Sequence, residues 1–472
     1  MKTNLNRYRL AGVTGGLLLG AGQFFGPMCI LQLFALLPLM VLSIRDKRMR
    51  WAALAGLYMG IAYTIPQMVY LRMPIPVTVI LLVWTTILLI GLCMSIAYFL
   101  PAHSILGPLA VGAGWFILDW INYTALPVWG MAQSFARSWT AYPFTIQFIS
   151  ITGISGVLFV VTILQGIMAH CICQKKLLWK PIWLSFVIII LAAGINVMTW
   201  TQEPANSIKV AAAGWVFDDR SSEIDPHKDE GFEKLFAGLA RKSAAQGARI
   251  FTTGELGFYI AKHEWGYWMD RFSTVAREND LWLVVGYFNI DIDENRLFFM
   301  SPEGVIVDEY TKTHLTPFEP GHKGNGDLKT ISVDGLTIGA MICQDDNFSK
   351  RTRYYGNLKA DIVLCPTADW WTIKDAHLQA VQARAIECNY GIVRGAACGI
   401  SAAISPRGEV LSQVDHYRSG AGYVIEDIPV YRNRTFFSRF GCWPSLAGAG
   451  MWIGVFVLGG RKEKRRRWHT GV

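Results

Sequence analysis

The chain has 472 residues, 52% of them hydrophobic, 13% aromatic and 17% charged, with a formal net charge of +9. A charged fraction so far below the roughly 25% usual for soluble domains excludes a wholly soluble chain. The positive balance largely sits in short clusters beside apolar runs, so it reads as a membrane-topology signal and not as a nucleic-acid footprint.

No Asp, Glu, Lys or Arg occurs in residues 11–44, 51–71, 73–118, 138–174, 181–202 or 440–460. A helix crossing a bilayer needs about 20 apolar residues. These runs predict about eight spans, at 11–24, 26–44, 51–71, 77–100, 104–121, 150–172, 181–200 and 441–460. The first two are separated by a break near Gly20 to Pro27. The first run is no cleavable signal peptide, being too long, without a small-residue cleavage site and followed by a basic cluster at 45–50. Basic residues also precede the first span (Lys2, Arg7, Arg9), separate the sixth from the seventh (Lys175, Lys176, Lys180) and follow the eighth at 461–467. Eight spans put all four clusters on one side, the cytoplasmic side by the positive-inside rule. The stretch between the seventh and eighth spans then lies outside the cytoplasm. Asp119 and His103, near span ends, read as interfacial groups and not as a relay.

The stretch 205–438 has ordinary globular composition. Its pattern predicts strands at 208–213, 249–253, 281–288, 336–342, 362–366, 391–397 and 402–405, with a hairpin of 295–301 and 305–310 around Pro302-Glu-Gly304. Amphipathic helices are expected at 230–248, 264–278 and 377–387. Such alternation indicates an α/β domain. The predicted domains are 1–204, a membrane domain of about seven helices; 205–438, an extracytoplasmic catalytic domain; and 439–472, a last span with a basic tail.

Nine cysteines are scattered without a paired framework. Cys171 and Cys173 have the wrong spacing and too few partners for zinc. Cys365, in an apolar strand, reads as a buried reduced thiol. No metal or nucleotide motif is evident, and no cofactor is expected.

Three segments carry chemistry: Phe251-Thr-Thr-Gly-Glu255-Leu, Tyr310-Thr-Lys312-Thr-His-Leu-Thr-Pro-Phe and Met341-Ile-Cys343-Gln-Asp345. Each candidate residue stands at or just after a predicted strand end, where rigid strands aim loops at a shared cleft. A thiol nucleophile needs a base for its proton and a cation or amide for the oxyanion, and Glu255, Lys312 and Cys343 meet that need. Taken singly, Cys343 would be a buried inert thiol. Glu255 and Lys312, taken singly, would be surface charges.

These segments resemble the nitrilase superfamily and, within it, the bacterial apolipoprotein N-acyltransferase family. Further similarities are Asp369-Trp370-Trp371, Gln382-Ala-Arg384-Ala-Ile-Glu387, Gly399-Ile-Ser401 with Pro406-Arg-Gly408, the loop Pro127-Val-Trp129-Gly, Thr152 to Gly156, and Arg434 to Gly441. The resemblance covers essentially the whole chain. It implies a polytopic membrane bundle carrying an α-β-β-α sandwich with a Glu255-Lys312-Cys343 triad. It implies transfer of a fatty acyl chain from a phospholipid, through a Cys343 thioester, to the amine of a diacylglyceryl-cysteine lipoprotein. It also implies a site at the outer face of the bacterial inner membrane. Glu319 and Asp345 are expected to order Lys312 or the acceptor amine, and His314 to support its loop. Trp129, Trp139, Phe144, Trp370 and Trp371 could make interfacial or substrate contacts, although core packing is the ordinary role of Trp370 and Trp371.

Four positions depart from the family pattern. Gly254 stands where a proline usually precedes the glutamate. Gln344-Asp345 replaces Tyr-Glu after the nucleophile. Pro317-Phe-Glu319-Pro320 shifts the supporting carboxylate by one. The interval from Lys312 to Cys343 is a short 31 residues. Gln344-Asp345 and the short interval favour the alternative of a membrane-anchored amidase or other nitrilase-like hydrolase. A silent lipoprotein-binding scaffold is opposed by the intact Glu-Lys-Cys set, and a transporter by the lack of midplane charge.

Overall fold

The computed structural model describes residues 2–126, 128–216, 227–317, 319–327, 329–441, 443, 445–454 and 457. Phe318, Cys442, the basic cluster at 461–467 and parts of the expected span 441–460 lie outside the described residues. Two compact units form, one of Met1–Pro127, Gln133–Trp200 and Phe440–Val472, the other of Val128–Ala132 and Thr201–Arg439.

In the first unit five described helices are long and apolar enough to cross a membrane: Gly26–Arg45, Met49–Leu71, Ile75–Ala102, Gly156–Gln174 and Trp179–Trp200. Helices Lys2–Phe24 and Leu106–Thr124 occupy the first and fifth expected spans but fall outside that set of five. The first carries Arg7 and Arg9 and the second Asp119 and Asn122, which lower their apolarity. Small residues bring helices together here, as they do where lipid offers no hydrophobic drive. A side chain at Gly12 would fall on the backbone of Ala55, and one at Gly16 on that of Met59. Asp119 stands near the end of the helix Leu106–Thr124. It is fully buried and accepts hydrogen bonds from Ser134 Oγ (2.9 Å), the Phe135 N–H (2.7 Å) and Ser155 Oγ (2.6 Å). These donors stand in for water, without which a buried carboxylate is costly. His103 is exposed, and its Nδ1 accepts from the N–H groups of Ile105 and Leu106.

The second unit has thirteen strands: β1 (Asn206–Gly214), β2 (Ile250–Thr252), β3 (Phe258–Ile260), β4 (Trp282–Asn289), β5 (Glu294–Met300), β6 (Ile306–Thr311), β7 (Thr330–Val333), β8 (Leu336–Ala340), β9 (Ile362–Leu364), β10 (Gly391–Arg394), β11 (Ile400–Ile404), β12 (Val410–Asp415) and β13 (Gly422–Val430). They make two sheets, ordered β13-β1-β2-β4-β5-β6, with β3 beside β4, and β12-β11-β10-β9-β8-β7.

Period-two alternation decides the layering. In β1, Val210 and Ala212 join Ile250, Val284, Ile338, Ile362 and Val393 in the core shared by the two sheets. Ala211 and Ala213 join Phe251, Leu283 and Val285 under Phe232, Phe236 and Phe272. Those phenylalanines come from helical segments Phe232–Ala237 and Trp265–Asn279, so helices cover the first sheet's outer face. Helices Ser349–Asn357 and Lys374–Cys388 add Tyr355, Leu378, Val381 and Ala385 to the second sheet's cluster. The result is an α-β-β-α sandwich. The expected helix at 230–248 is a π-helical turn followed by Gly238–Ala245, and strands β3, β7, β12 and β13 and helix Ser349–Asn357 add to the expected elements.

Candidate active site

Three chain segments leaving strands converge where the sheets meet. After β2 the chain continues through Thr253, whose N–H donates to Val284 O. A Cβ at Gly254 would fall on Ala397 N, so contact between the sheets is what requires glycine there. The next N–H, of Glu255, donates to Thr367 O across that seam (3.2 Å), and the Glu255 side chain is buried.

Lys312 follows β6. Its N–H donates to Asn295 O (2.8 Å), and its Nζ donates to Glu255 Oε1 (2.6 Å) and to both Glu319 oxygens (2.8 Å each). Asn295 Nδ2 donates to Glu255 Oε1 (2.7 Å) and Glu319 Oε1 (3.2 Å), and Thr316 anchors Glu319 Oε2 through its N–H and Oγ1. One ammonium thus lies between two carboxylates that share an amide.

Cys343 follows β8 and opens a 3₁₀ turn, Cys343–Asn347. Its φ of +45° is an uncommon conformation for a residue with a side chain, of a kind that concentrates at functional sites. Its N–H donates to Pro366 O (2.9 Å) and its thiol points to Ala368 O (3.8 Å), with the Glu255 carboxylate also a hydrogen-bond partner. Asp345 holds the Lys312 segment. It accepts from Tyr310 OH (2.7 Å), Thr313 Oγ1 (2.6 Å) and the His314 N–H (2.9 Å), and it pairs with His314 Nδ1 (2.8 Å). The His314 ring stacks on Phe348 with centroids 3.8 Å apart.

Burial dominates the electrostatics. It raises the Glu255 carboxyl above its ordinary range, against the pull of Lys312. It also pushes the Cys343 thiol well up, helped by the charge of Glu255 and opposed by Lys312. Burial would lower Lys312, but the charges of Glu255, Cys343 and Glu319 outweigh it and keep the ammonium protonated. At rest the thiol is protonated beside a charged lysine and a carboxylate of raised basicity, a set able to make and stabilise a thiolate on demand.

A second buried network adjoins Cys343. His377 Nδ1 pairs with Asp369 Oδ1 (2.7 Å), His377 Nε2 with Asp346 Oδ1 (2.8 Å), and Arg394 Nη2 with Asp369 Oδ2 (2.5 Å). Burial alone would lower His377, yet Asp346 and Asp369 hold it at about 9. Ligand atoms of Cys343, Asp369 and His377 lie within 4.8 Å of one another, the spacing of a metal site. Both histidine nitrogens and both Asp369 oxygens are engaged within the network, so the donors serve ion pairing. Asn295, Asp346, His377 and Arg394 stand in no motif that marks them in the sequence.

Trp370 and Trp371 are not core residues. They are 38% and 43% exposed, because the chain from Asp369 to the helix at Lys374 runs over the surface. Trp129 meets Trp370 edge-on (5.3 Å), and Trp371 meets Tyr417 (5.4 Å). In the first unit, Trp139 donates to Gln32 Oε1 and the exposed Phe144 meets Trp200 edge-on.

Residues 248–433, which contain Glu255, Lys312 and Cys343, match the carbon-nitrogen hydrolase family. The sandwich with its buried glutamate, lysine and cysteine is an enzyme domain of that class. Similarity extends beyond this domain into the helical half. The chain is 24% identical over 438 residues to apolipoprotein N-acyltransferase 2 of Treponema denticola, covering 78% of this chain and 80% of that one. It is 20% identical over 388 residues to the apolipoprotein N-acyltransferase of Photobacterium profundum, covering 73% and 71%. Against the deaminated glutathione amidase of Homo sapiens it is 27% identical over 204 residues, 37% of this chain and 62% of the amidase.

Proposed function

We propose that the protein transfers a fatty acyl chain from a membrane phospholipid to the N-terminal amine of a diacylglyceryl-cysteine lipoprotein, by way of a thioester on Cys343. The carrying observation is the buried contact of Lys312 Nζ with Glu255 (2.6 Å) in a chain that also bears five membrane-length apolar helices. Similarity to the N-acyltransferases across both halves supports transfer over hydrolysis, whereas likeness to the amidase covers 37% of the chain.

Glu255 takes the thiol proton as Cys343 Sγ attacks the ester carbonyl of the donor. Lys312 Nζ holds the oxyanion that forms. The first N–H groups of a helical turn lack partners within it. Those of Cys343 and Asp345 reach Pro366 O and Ile342 O, which leaves the Gln344 N–H as a second oxyanion donor. Collapse breaks the ester bond, Glu255 returns the proton to the departing lysophospholipid oxygen, and the thioester remains. The α-amine of the acceptor then attacks, Glu255 receives its proton, and the thiol re-forms as the amide leaves. Glu319 and Asp345 keep Lys312 and its loop in register, and the exposed Trp370 and Trp371, with the half-buried Trp129 against Trp370, offer apolar contacts to the lipid chains. Basic residues flanking the apolar runs support a bacterial inner-membrane setting with the catalytic domain outside the cytoplasm.

Incubation of purified protein with phospholipid, then with diacylglyceryl lipopeptide, tests the reading by mass spectrometry. A fatty-acyl mass is expected on Cys343, moving to the peptide amine and absent from Cys343→Ala. An adduct lost to water with the peptide unmodified would make the protein a hydrolase instead. No adduct in the wild type would remove Cys343 as nucleophile.

A further inference from the structure

The five residues Val128–Ala132 belong to the catalytic unit although the chain on either side of them belongs to the helical one. They are tied to the nucleophile's turn by two buried side-chain amides. Gln344 Nε2 donates to Val128 O (2.9 Å), Asn347 Nδ2 donates to Gln344 Oε1 (3.2 Å), and Asn347 Oδ1 accepts from the Ala132 N–H (3.2 Å). The direction of this relay is set at both ends. A carbonyl at Val128 demands the NH₂ of Gln344, and an N–H at Ala132 demands the oxygen of Asn347. What remains on the two amides pairs with each other, so each oxygen and nitrogen of both side chains has a partner.

The backbone is fitted as closely as the side chains. Gly130 has a φ of +48°, and a Cβ there would stand 2.6 Å from Asn347 O. That same carbonyl accepts from Arg384 Nη2 (2.8 Å), whose Nε reaches Asp346 O and whose Nη1 pairs with Glu387. The turn Cys343–Asn347 is therefore gripped from the helix Lys374–Cys388 on one side and from Val128–Ala132 on another.

We propose that Gln344 and Asn347 are positioning residues, and that through them the segment Val128–Ala132 forms part of the catalytic apparatus. The inference rests on the thioester reading above, in which the Gln344 N–H is an oxyanion donor. Its side chain, anchored on Val128, holds that N–H where the oxyanion develops. The effect belongs to the transition state and not to phospholipid binding, because both side chains are buried and engaged with Val128, Ala132 and each other.

The test uses the full chain in detergent with dipalmitoyl phosphatidylethanolamine, reading thioester formation on Cys343 by mass spectrometry. Gln344→Met and Asn347→Leu keep side-chain bulk and remove the relay. Each should lower kcat between about tenfold and a hundredfold, the range of displaced catalytic geometry, with KM within about twofold of wild type. The double variant should be no slower than the slower single one, since both break one connected relay. Unchanged kcat, a loss confined to KM, or additive losses would each overturn the proposal. Should Gln344→Met not accumulate folded, Gln344→Asn keeps the amide but is one methylene short of Val128. A full-rate Gln344→Asn would overturn the proposal, and a kcat loss would support it. Cys343→Ala run alongside separates the two readings. If it still transfers acyl chains, the thioester reading and the relay fall together. If it is dead while Gln344→Met is fully active, the relay alone falls.

Discussion

Burial moves Glu255 and Cys343 in the same direction, and this sets the expected pH behaviour of the first half-reaction. A base with a raised pKa is protonated, and so idle, at pH values where an ordinary glutamate is already charged. The acid limb of thioester formation should therefore lie above the ordinary glutamate value of about 4.3. The neighbouring charge of Glu319 contributes to that raise. Glu319→Gln removes it, so the limb should move to lower pH, and a pH–rate profile that stays put or moves upward would contradict this assignment. On the alkaline side Lys312 is raised, so no loss from its deprotonation is expected within the range where lysines ordinarily titrate. Glu255, Lys312 and Cys343 are legible in the sequence because each sits in a patterned segment at a strand end. Asn295 is not, although it bonds both carboxylates around Lys312, because a lone asparagine entering a strand has no pattern to mark it. The network of Asp346, His377 and Arg394 is assembled by folding from a turn, a helix and a strand.

Among elements, the strands that the alternation predicts are mostly central ones with continuous apolar runs. Those it omits are chiefly edges: β13 ends one sheet, and β12 and β7 end the other. An edge strand buries one face and leaves the other wet, so its sequence is mixed, and β13 even contains Pro429, tolerated where no further strand needs its N–H. The departure at Gly254 has its reason at this scale too. Contact between the end of β2 and the chain after β10 leaves no room for a Cβ, so Gly254→Ala should force the seam apart. The expected cost is about 1–3 kcal/mol, as for other overpacked sites, with acyl transfer falling because Glu255 follows directly. Thermal unfolding of the purified variant in detergent, compared with wild type, measures it, and an unchanged midpoint would show that the seam yields.

At the scale of the molecule, two features are open to measurement. The buried His377 links stability to pH. Its folded value of about 9 exceeds the ordinary 6.5, so its contribution is fully present below about 6.5 and lost as pH rises toward 9. Up to about 3 kcal/mol is at stake by that difference. The unfolding midpoint of the wild type should fall across this window, and His377→Gln should start lower and lose that part of the slope. The second feature is orientation: by the positive-inside rule, residues 45–50 and 175–180 are expected on the cytoplasmic side. Cysteines introduced at Lys47 and Lys176 should escape an impermeant maleimide applied from outside, and one at Lys262 should react. Labelling of Lys47→Cys from outside would reverse the topology. Burial of Asp119 was not legible in its run of sequence, since the serines that satisfy it arrive from other segments.

The burial that raises the Cys343 thiol has one further consequence, for redox chemistry. Peroxide attacks thiolates far faster than thiols, so a cysteine protonated at rest is shielded from overoxidation until substrate calls its thiolate into being. The described cysteines are all free, and Cys365 and Cys388 are buried and raised in the same way. On the proposed role of Cys343, such a thiol is expected to keep its reactivity in an oxidising medium without a dedicated reductant, and an unchanged rate of thioester formation after exposure of the resting protein to peroxide would bear this out.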